Sequence, residues 1–461
     1  MSAFIPPSIS SIHWEKVGLK QHHGINIFLP SLKRRNSPQG DLLSLKMLLP
    51  WLKKTGFNVI QLLPINDSGD DISPYNIISA HALNPSLLPP ESLKPLNKKD
   101  PDFQAFQKKS TYWLKPYCLF KTLKEKNGNK AFWEWSQKEQ SYNNFLYTQH
   151  QEKAIAYAHT QYLLHKEMRA LQEEASSLDI LLMGDLPILI SPDSVEAWLY
   201  PALFDKSYCA GAPPDYYAKE GQCWGFPLHR FDTMQKDNFT WWKERLRTAS
   251  AYYNLYRIDH AVGLFRLWAI AKGKKATEGF FIPEKRSIWL QQGRIFLKAL
   301  LEGSSLLPIA EDLGVIPPEV RSTLIEDGIP GTKVPRWERY WDAGGGFIPL
   351  KDYPVCSLTT VSTHDSQTLK EWWFEQNNKT LDQATLFKIL RESHQSSSLF
   401  HINLLGEYLA LFKELVYNDD KLERINIPGH INNTNWCYRT KPFLEELIEH
   451  KELLHMMQKM I

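Results

Sequence analysis

Residues 180–188 read ILLMGDLPI, an apolar run interrupted only by Gly184 and Asp185. A strand with one face in water alternates polar and apolar side chains. A strand covered on both faces does not, and such strands are typical of parallel sheets flanked by helices. Similar runs recur along the chain: GINIFL at 24–29, FNVIQLLPI at 57–65, LYRID at 255–259, LLPIAED at 306–312 and SLTTVSTHD at 357–365. Between the first two lies GDLLSLKMLLPWLKK (40–54), which has helical spacing and a proline, Pro50, expected to kink it. Strands alternating with helical patterns predict an α/β chain built on a parallel sheet.

The spacing is uneven. More than a hundred residues separate Ile65 from Ile180, too many for one strand–helix unit. Within them, residues 145–175 carry a long amphipathic helical pattern, and residues 94–130 hold ten lysines against three acids. These features predict a helical insertion, approximately 77–178, growing out of a single catalytic unit spanning 1–461. The lysine run is read as a solvated helical face rather than a docking site.

Composition narrows the function. Of 461 residues, 43% are hydrophobic and 23% charged, as in ordinary globular proteins. The net charge of +3 argues against a dedicated nucleic-acid binder. No apolar stretch is long enough for a membrane span, and MSAFIPPSISS lacks the pattern of a secretory signal. Five scattered cysteines (118, 209, 223, 356 and 437) without CxxC spacing favour a reducing, cytoplasmic setting over a disulfide framework or zinc site. GxGxxG and P-loop motifs are absent, as is HExxH, so neither a nucleotide cofactor nor a catalytic metal is expected. Sixteen tryptophans hint at sugar stacking.

Four of the apolar runs lead to an acid: Asp185, Asp259, Glu311 and Asp365. In a parallel α/β barrel the C-terminal strand ends converge on the face that carries the active site. Acids placed there would meet although each is more than fifty residues from the next. Paired carboxyl groups suit glycosidic bond chemistry, one protonated to assist the leaving oxygen and one ionised to attack the anomeric carbon. Arg257 stands two residues before Asp259, on the same strand face, where its charge favours an ionised carboxylate. The bland alternative for each acid is a helix N-cap.

The segments around these acids resemble glycoside hydrolase family 77, the 4-α-glucanotransferases. They stand as SPYNIISAHALNP (73–85), GDLPILISPDSVEAW (184–198), APPDYYAKEGQCWGFPLH (212–229), RIDHAVGLFRLW (257–268), AEDLGVIPPEVR (310–321), STHDSQTL (362–369) and NIPGHINNTNWCYR (426–439), in the family's order. The resemblance implies a (β/α)8 TIM barrel with inserted, mainly helical subdomains and no cofactor. By motif, it implies Asp259 as nucleophile, Glu311 as general acid/base and Asp365 as transition-state stabiliser. Asp185, Arg257 and His364 match supporting positions. Tyr75 matches a stacking platform, Trp224 a loop over the acceptor sites, and Asn426 a binding position. The sequence departs from the family at Trp224-Gly225-Phe226-Pro227, at Pro428-Gly429-His430 and in the loop Leu63–Gly69, none of which includes a catalytic acid.

The implied reaction is a double displacement on α-1,4-glucans and maltooligosaccharides, with glucose or a second glucan as acceptor. The Gly-, Pro- and aromatic-rich segment 209–229, within a covering region of approximately 189–235, is the expected lid. Two other functions stand beside it: a hydrolase of the same clan and a non-catalytic glucan-binding barrel. Outside the motifs, Tyr75 and Trp224 read first as packing aromatics and His364 as a core histidine. Nothing in the sequence assigns an oligomeric state.

Overall fold

In the computed structural model, residues 8–215, 218–341, 344–429 and 433–461 are described. The motif segments 212–229 and 426–439 therefore contain five positions, 216–217 and 430–432, outside the described residues. His430 of the Pro428-Gly429-His430 departure is one of them.

Eight parallel strands close into a barrel: β1 (His22–Ile27), β2 (Val59–Leu62), β3 (Leu181–Leu186), β4 (Leu255–Ile258), β5 (Leu307–Ala310), β6 (Gly331–Lys333), β7 (Ser357–Thr359) and β8 (Phe400–Leu404). Each strand pairs with the next in sequence, and β8 returns to β1. The period of two along each strand sorts its side chains. Val59, Met183, Leu255, Leu307, Ile309, Leu358, Phe400 and Ile402 fill the barrel interior, which Trp14 and Val17 of the helix Ser11–Val17 plug from one end. Ile25, Ile27, Ile60, Leu62, Leu182 and Ile258 belong to the larger apolar layer shared with the surrounding helices. The same alternation carries Met183 to Asp185, Leu255 to Arg257 and Asp259, and Ile309 to Glu311. The acids thus continue the inward-facing rows at the strand ends.

Five strands fall inside the apolar runs read from the sequence, and β1 overlaps its run but starts two residues earlier, at His22. The other two do not. β6 is only three residues, Gly-Thr-Lys, and its buried Thr332 and Lys333 are satisfied by Asp312: the Thr332 N–H donates to Asp312 Oδ1 at 2.7 Å. β8, Phe-His-Ile-Asn-Leu, alternates like a half-solvated strand, yet every residue is buried. Its Asn403 Oδ1 accepts the Val361 N–H at 2.8 Å, and His401 Nδ1 meets the Ser393 carbonyl at 2.9 Å. The helix Leu42–Thr55 continues across Pro50 and begins at Asp41, whose carboxylate caps the Ser44 N–H.

Between β2 and β3 stand the helices Pro101–Lys109, Thr111–Lys126 and Asn144–Ser177. The last, 34 residues long, buries Ala154, Ala158, Gln161, Leu164, Met168, Leu171 and Ala175, a three-and-four spacing that keeps one stripe inward. Gln161 fastens the helix to the preceding loop by bonding both the N–H and the carbonyl of Leu83, at 2.9 and 2.7 Å. Most lysines of the 94–130 run face water. Lys121, Lys124 and Lys126 instead pair with Asp67, Asp193 and Glu139 at 3.2, 2.6 and 2.6 Å, stitching the helix Thr111–Lys126 to neighbouring loops.

His81 is buried against Trp113, and loss of hydration pushes its pKa down to about 3. At pH 5 it stays neutral in the folded chain but is protonated when unfolded. The unfolded state therefore binds more protons, and stability falls as pH drops below the ordinary value of 6.5. A His81→Gln variant is expected to be less stable at pH 7, yet to lose about 2 kcal/mol less than the parent between pH 7 and pH 5. Urea unfolding at both pH values measures this; an unchanged pH dependence would place the folded-state titration elsewhere.

Candidate active site

The strand ladder sets Asp185 of β3 directly beside Arg257 of β4. Arg257 Nη1 donates to both Asp185 oxygens, at 2.9 and 2.8 Å, and to Asp259 Oδ1 at 2.9 Å. Its Nη2 lies 3.7 Å from Glu311 Oε2. One guanidinium thus stands among three carboxyl groups. Such a surplus of negative charge in a buried place favours holding one group neutral. That group is Glu311: burial, reinforced by the Asp259 charge and opposed by Arg257, pushes its pKa up to about 7. Burial also raises Asp185, against the pull of Arg257.

Backbone geometry fixes Glu311. Its Oε2 accepts the His260 N–H at 2.9 Å and its Oε1 the Leu313 N–H at 3.1 Å. His260 reaches this position in a left-handed conformation, φ +46°, uncommon for a residue with a side chain and a mark of a functional constraint. The backbone of Glu311 is tied in turn to β4, its N–H donating to the Ile258 carbonyl at 3.0 Å.

Asp365 arrives differently. β7 stops at Thr359, and Asp365 stands in the loop beyond it rather than at the strand end. That loop is held from below: Ser362 Oγ donates to buried Glu407, which also accepts the Leu369 N–H at 2.9 Å. His364 Nε2 lies 3.2 Å from Asp365 Oδ2, and Asn426 Nδ2 donates to Asp365 Oδ1 at 2.7 Å. Desolvation alone would raise the Asp365 pKa. The charge and hydrogen bond of His364, the Asn426 amide and Arg257 together outweigh it and bring it down to about 2.

Tyr75 joins the two groups. Its hydroxyl donates to Asp185 at 2.7 Å, while its ring stacks on His364 with centroids 5.2 Å apart and planes 16° from parallel. Trp436 packs against both rings. On the other side Trp224 meets the His260 ring edge-on at 4.9 Å. Asp259, Glu311, Asp365, Tyr75, Asp185, Trp224, Arg257, His364 and Asn426 consequently belong to one contact network. None of the four acids is the N-cap of a following helix; Ser194 and Thr368 cap the helices Val195–Leu199 and Leu369–Asn377. Among the described residues, no group of three or more His, Cys, Asp or Glu is arranged to hold a metal ion.

Two residues of this network escape a reading of the sequence alone. His260 acts through its backbone, so its side-chain type gives no warning; the only signal is its place directly after Asp259. Trp436 lies in the 426–439 segment but is separated from Tyr75 by most of the chain.

A parallel eight-stranded barrel whose rim gathers an ion-paired carboxylate and a carboxyl group held near neutrality has the groups that enzymes working on glycosidic bonds require. The chain belongs to glycoside hydrolase family 77, 4-alpha-glucanotransferase, whose model matches residues 27–101 and 92–445. It is 39% identical to a 4-alpha-glucanotransferase of Chlamydia pneumoniae over 98% of both chains, and 40% identical to one of Chlamydia caviae over 95% of this chain and 94% of the relative. Among solved structures, an amylomaltase from Streptococcus agalactiae in complex with acarbose superposes with a TM-score of 0.80 at 22% identity, covering 96% of this chain and 98% of that one.

Proposed function

We propose that this chain transfers a segment of an α-1,4-glucan to the 4-hydroxyl of glucose or of another α-1,4-glucan, with retention of configuration. Asp259, ion-paired with Arg257, attacks the anomeric carbon and forms a covalent glycosyl ester. Glu311 protonates the departing glycosidic oxygen, then takes the proton from the acceptor hydroxyl in the second displacement. Asp365, held anionic by His364 and Asn426, stabilises positive charge on the ring. Asp185 and Arg257 align the nucleophile, Tyr75 offers a ring surface to the sugar, and Trp224 with segment 189–235 covers the acceptor side. The reading rests above all on one observation: a single guanidinium shared by Asp259 and Glu311, the latter neutral enough to donate a proton near pH 7. The catalytic unit is taken as 1–461, with residues 77–178 as its helical insertion. The cysteines, scattered in sequence and without CxxC spacing, support a cytoplasmic setting.

The relatives named above are glucanotransferases, which favours a sugar over water as acceptor. Incubation with maltotriose is expected to yield glucose together with maltodextrins longer than the substrate. Chromatography showing only shortened products would overturn transfer in favour of hydrolysis.

A further inference from the structure

Outside the barrel, four antiparallel strands form a sheet in the order Phe280–Ile282, Leu267–Ala271, Tyr208–Ala212, Gln222–Cys223. The last is an edge strand joined by only two residue pairs, Gly211 with Cys223 and Ala212 with Gln222. Cys209 lies two residues before Gly211 and so shares its face of the sheet with Cys223. Gly211 has no side chain to stand between them, and none would fit: a β-carbon there would meet the Gln222 carbonyl oxygen at 1.9 Å. The Cys223 side chain leans diagonally into the gap. The two sulfur atoms lie 2.6 Å apart. Cys223 is exposed and Cys209 half-buried. The residue after Cys223 is Trp224, whose indole touches His260, whose N–H in turn holds Glu311.

We propose that Cys209 and Cys223 are a reversible dithiol–disulfide site that fixes the Trp224 strand over the active site and slows turnover when oxidised. This rests on the glucanotransferase reading for its effect on rate, but not for its chemistry. The oxidant is a low-molecular-weight disulfide. The exposed Cys223 thiol loses its proton to solvent, and its thiolate attacks one sulfur of that disulfide, expelling one small thiolate. Cys209 then loses its proton to solvent and attacks Cys223 of the mixed disulfide, expelling the second. Two protein thiols become one disulfide, and one small disulfide becomes two thiols. Burial and the neighbouring sulfur push the Cys209 thiol up to about 11, which suits the exposed Cys223 as the first attacker. Beyond its two residue pairs the strand is tied by backbone bonds, the Trp224 N–H donating to the Ala210 carbonyl at 2.9 Å and the Ala210 N–H to the Phe226 carbonyl at 2.7 Å; a covalent bridge adds a link that cannot open and close and holds Trp224 against His260 as glucans enter and leave.

The test treats the whole protein with oxidised glutathione and, in parallel, with dithiothreitol. Peptide mapping is expected to find residues 209 and 223 cross-linked with no retained glutathione. Maltotriose disproportionation by the oxidised form should fall at least about threefold in kcat and recover fully on reduction. Before oxidation Cys209→Ser should match the reduced parent; with oxidised glutathione it should form no bridge and retain one glutathione on Cys223. In the parent, separate glutathione adducts, or two unreacted thiols, would overturn the site. A complete cross-link with unchanged kcat would overturn its control of turnover. Enzyme that disproportionates maltotriose when reduced yet forms no bridge with oxidised glutathione would leave the proposed reaction standing and reject only this inference.

Discussion

Asp259→Asn is expected to lower kcat for maltotriose disproportionation by about 10⁴-fold or more while leaving the chain folded. The amide has nearly the carboxylate's shape but cannot give up its carbonyl electrons to form a stable glycosyl ester. Both half-reactions pass through that ester, so the loss falls on kcat and on kcat/KM together. The fold should tolerate the change because Arg257 keeps its two bonds to Asp185, at 2.9 and 2.8 Å, and is not left as an unpaired buried charge. A truncated Asp259→Gly variant opens the position to an external anion. Azide should then attack the same face of the anomeric carbon and release a β-configured glycosyl azide from an α-linked donor. Formation of that product identifies the side from which the nucleophile acts. An Asn variant retaining more than about one hundredth of parental kcat, with no azide product from the Gly variant, would remove Asp259 from the nucleophile's role.

The parts of this arrangement legible in the sequence are those where one local rule governs a segment. The runs around β3, β4 and β5 are buried on both faces, so their apolar continuity survives any detail of packing, and the period of two then places Asp185, Arg257 and Glu311. The helix Asn144–Ser177 announces itself by its buried stripe. What stayed hidden depends on partners distant in the chain. β8 reads as amphipathic until Val361 and Ser393 supply bonds to Asn403 and His401. β6 is too short for any pattern, and its Lys333 is tolerated inside only because Asp312 and Glu338 lie 3.7 and 3.8 Å away. Asp365 carries the same lesson. It follows an apolar run, yet a loop held by Glu407, not the strand itself, delivers it. Its anionic state is held by the adjacent His364 and by Asn426, sixty-one residues onward. A motif names such a residue; only the fold explains its charge.

Glu311→Gln isolates the proton transfers from the covalent chemistry. The glutamine oxygen can still accept the His260 N–H, giving up only the longer bond from Leu313, so the site should keep its shape, while the proton that the parent donates is lost. General acid–base catalysis of this kind is worth about 10²–10⁴-fold, and kcat/KM for maltotriose should fall by that amount. The pH profile gives a sharper readout. In the free enzyme Glu311 is the acid and must carry its proton. With a pKa of about 7, that proton is lost as pH rises through 7, so kcat/KM should decline on the alkaline side, approaching tenfold per unit. The variant has nothing to titrate there and should show no such limb. The second half-reaction needs the opposite state, and the first supplies it. Once Asp259 is esterified its negative charge is gone, while Arg257 remains; a contribution that raised Glu311 disappears and one that lowers it persists. Glu311 then ionises more readily and accepts the acceptor's proton. An activated donor such as an α-glucosyl fluoride needs little help from an acid to leave, so Glu311→Gln should form the glycosyl ester from it at near-parental rate and then stall. Mass spectrometry of the stalled protein should find the sugar on Asp259. A variant that keeps the alkaline limb, or that uses maltotriose and the fluoride with equal loss, would show that the proton comes from a group other than Glu311.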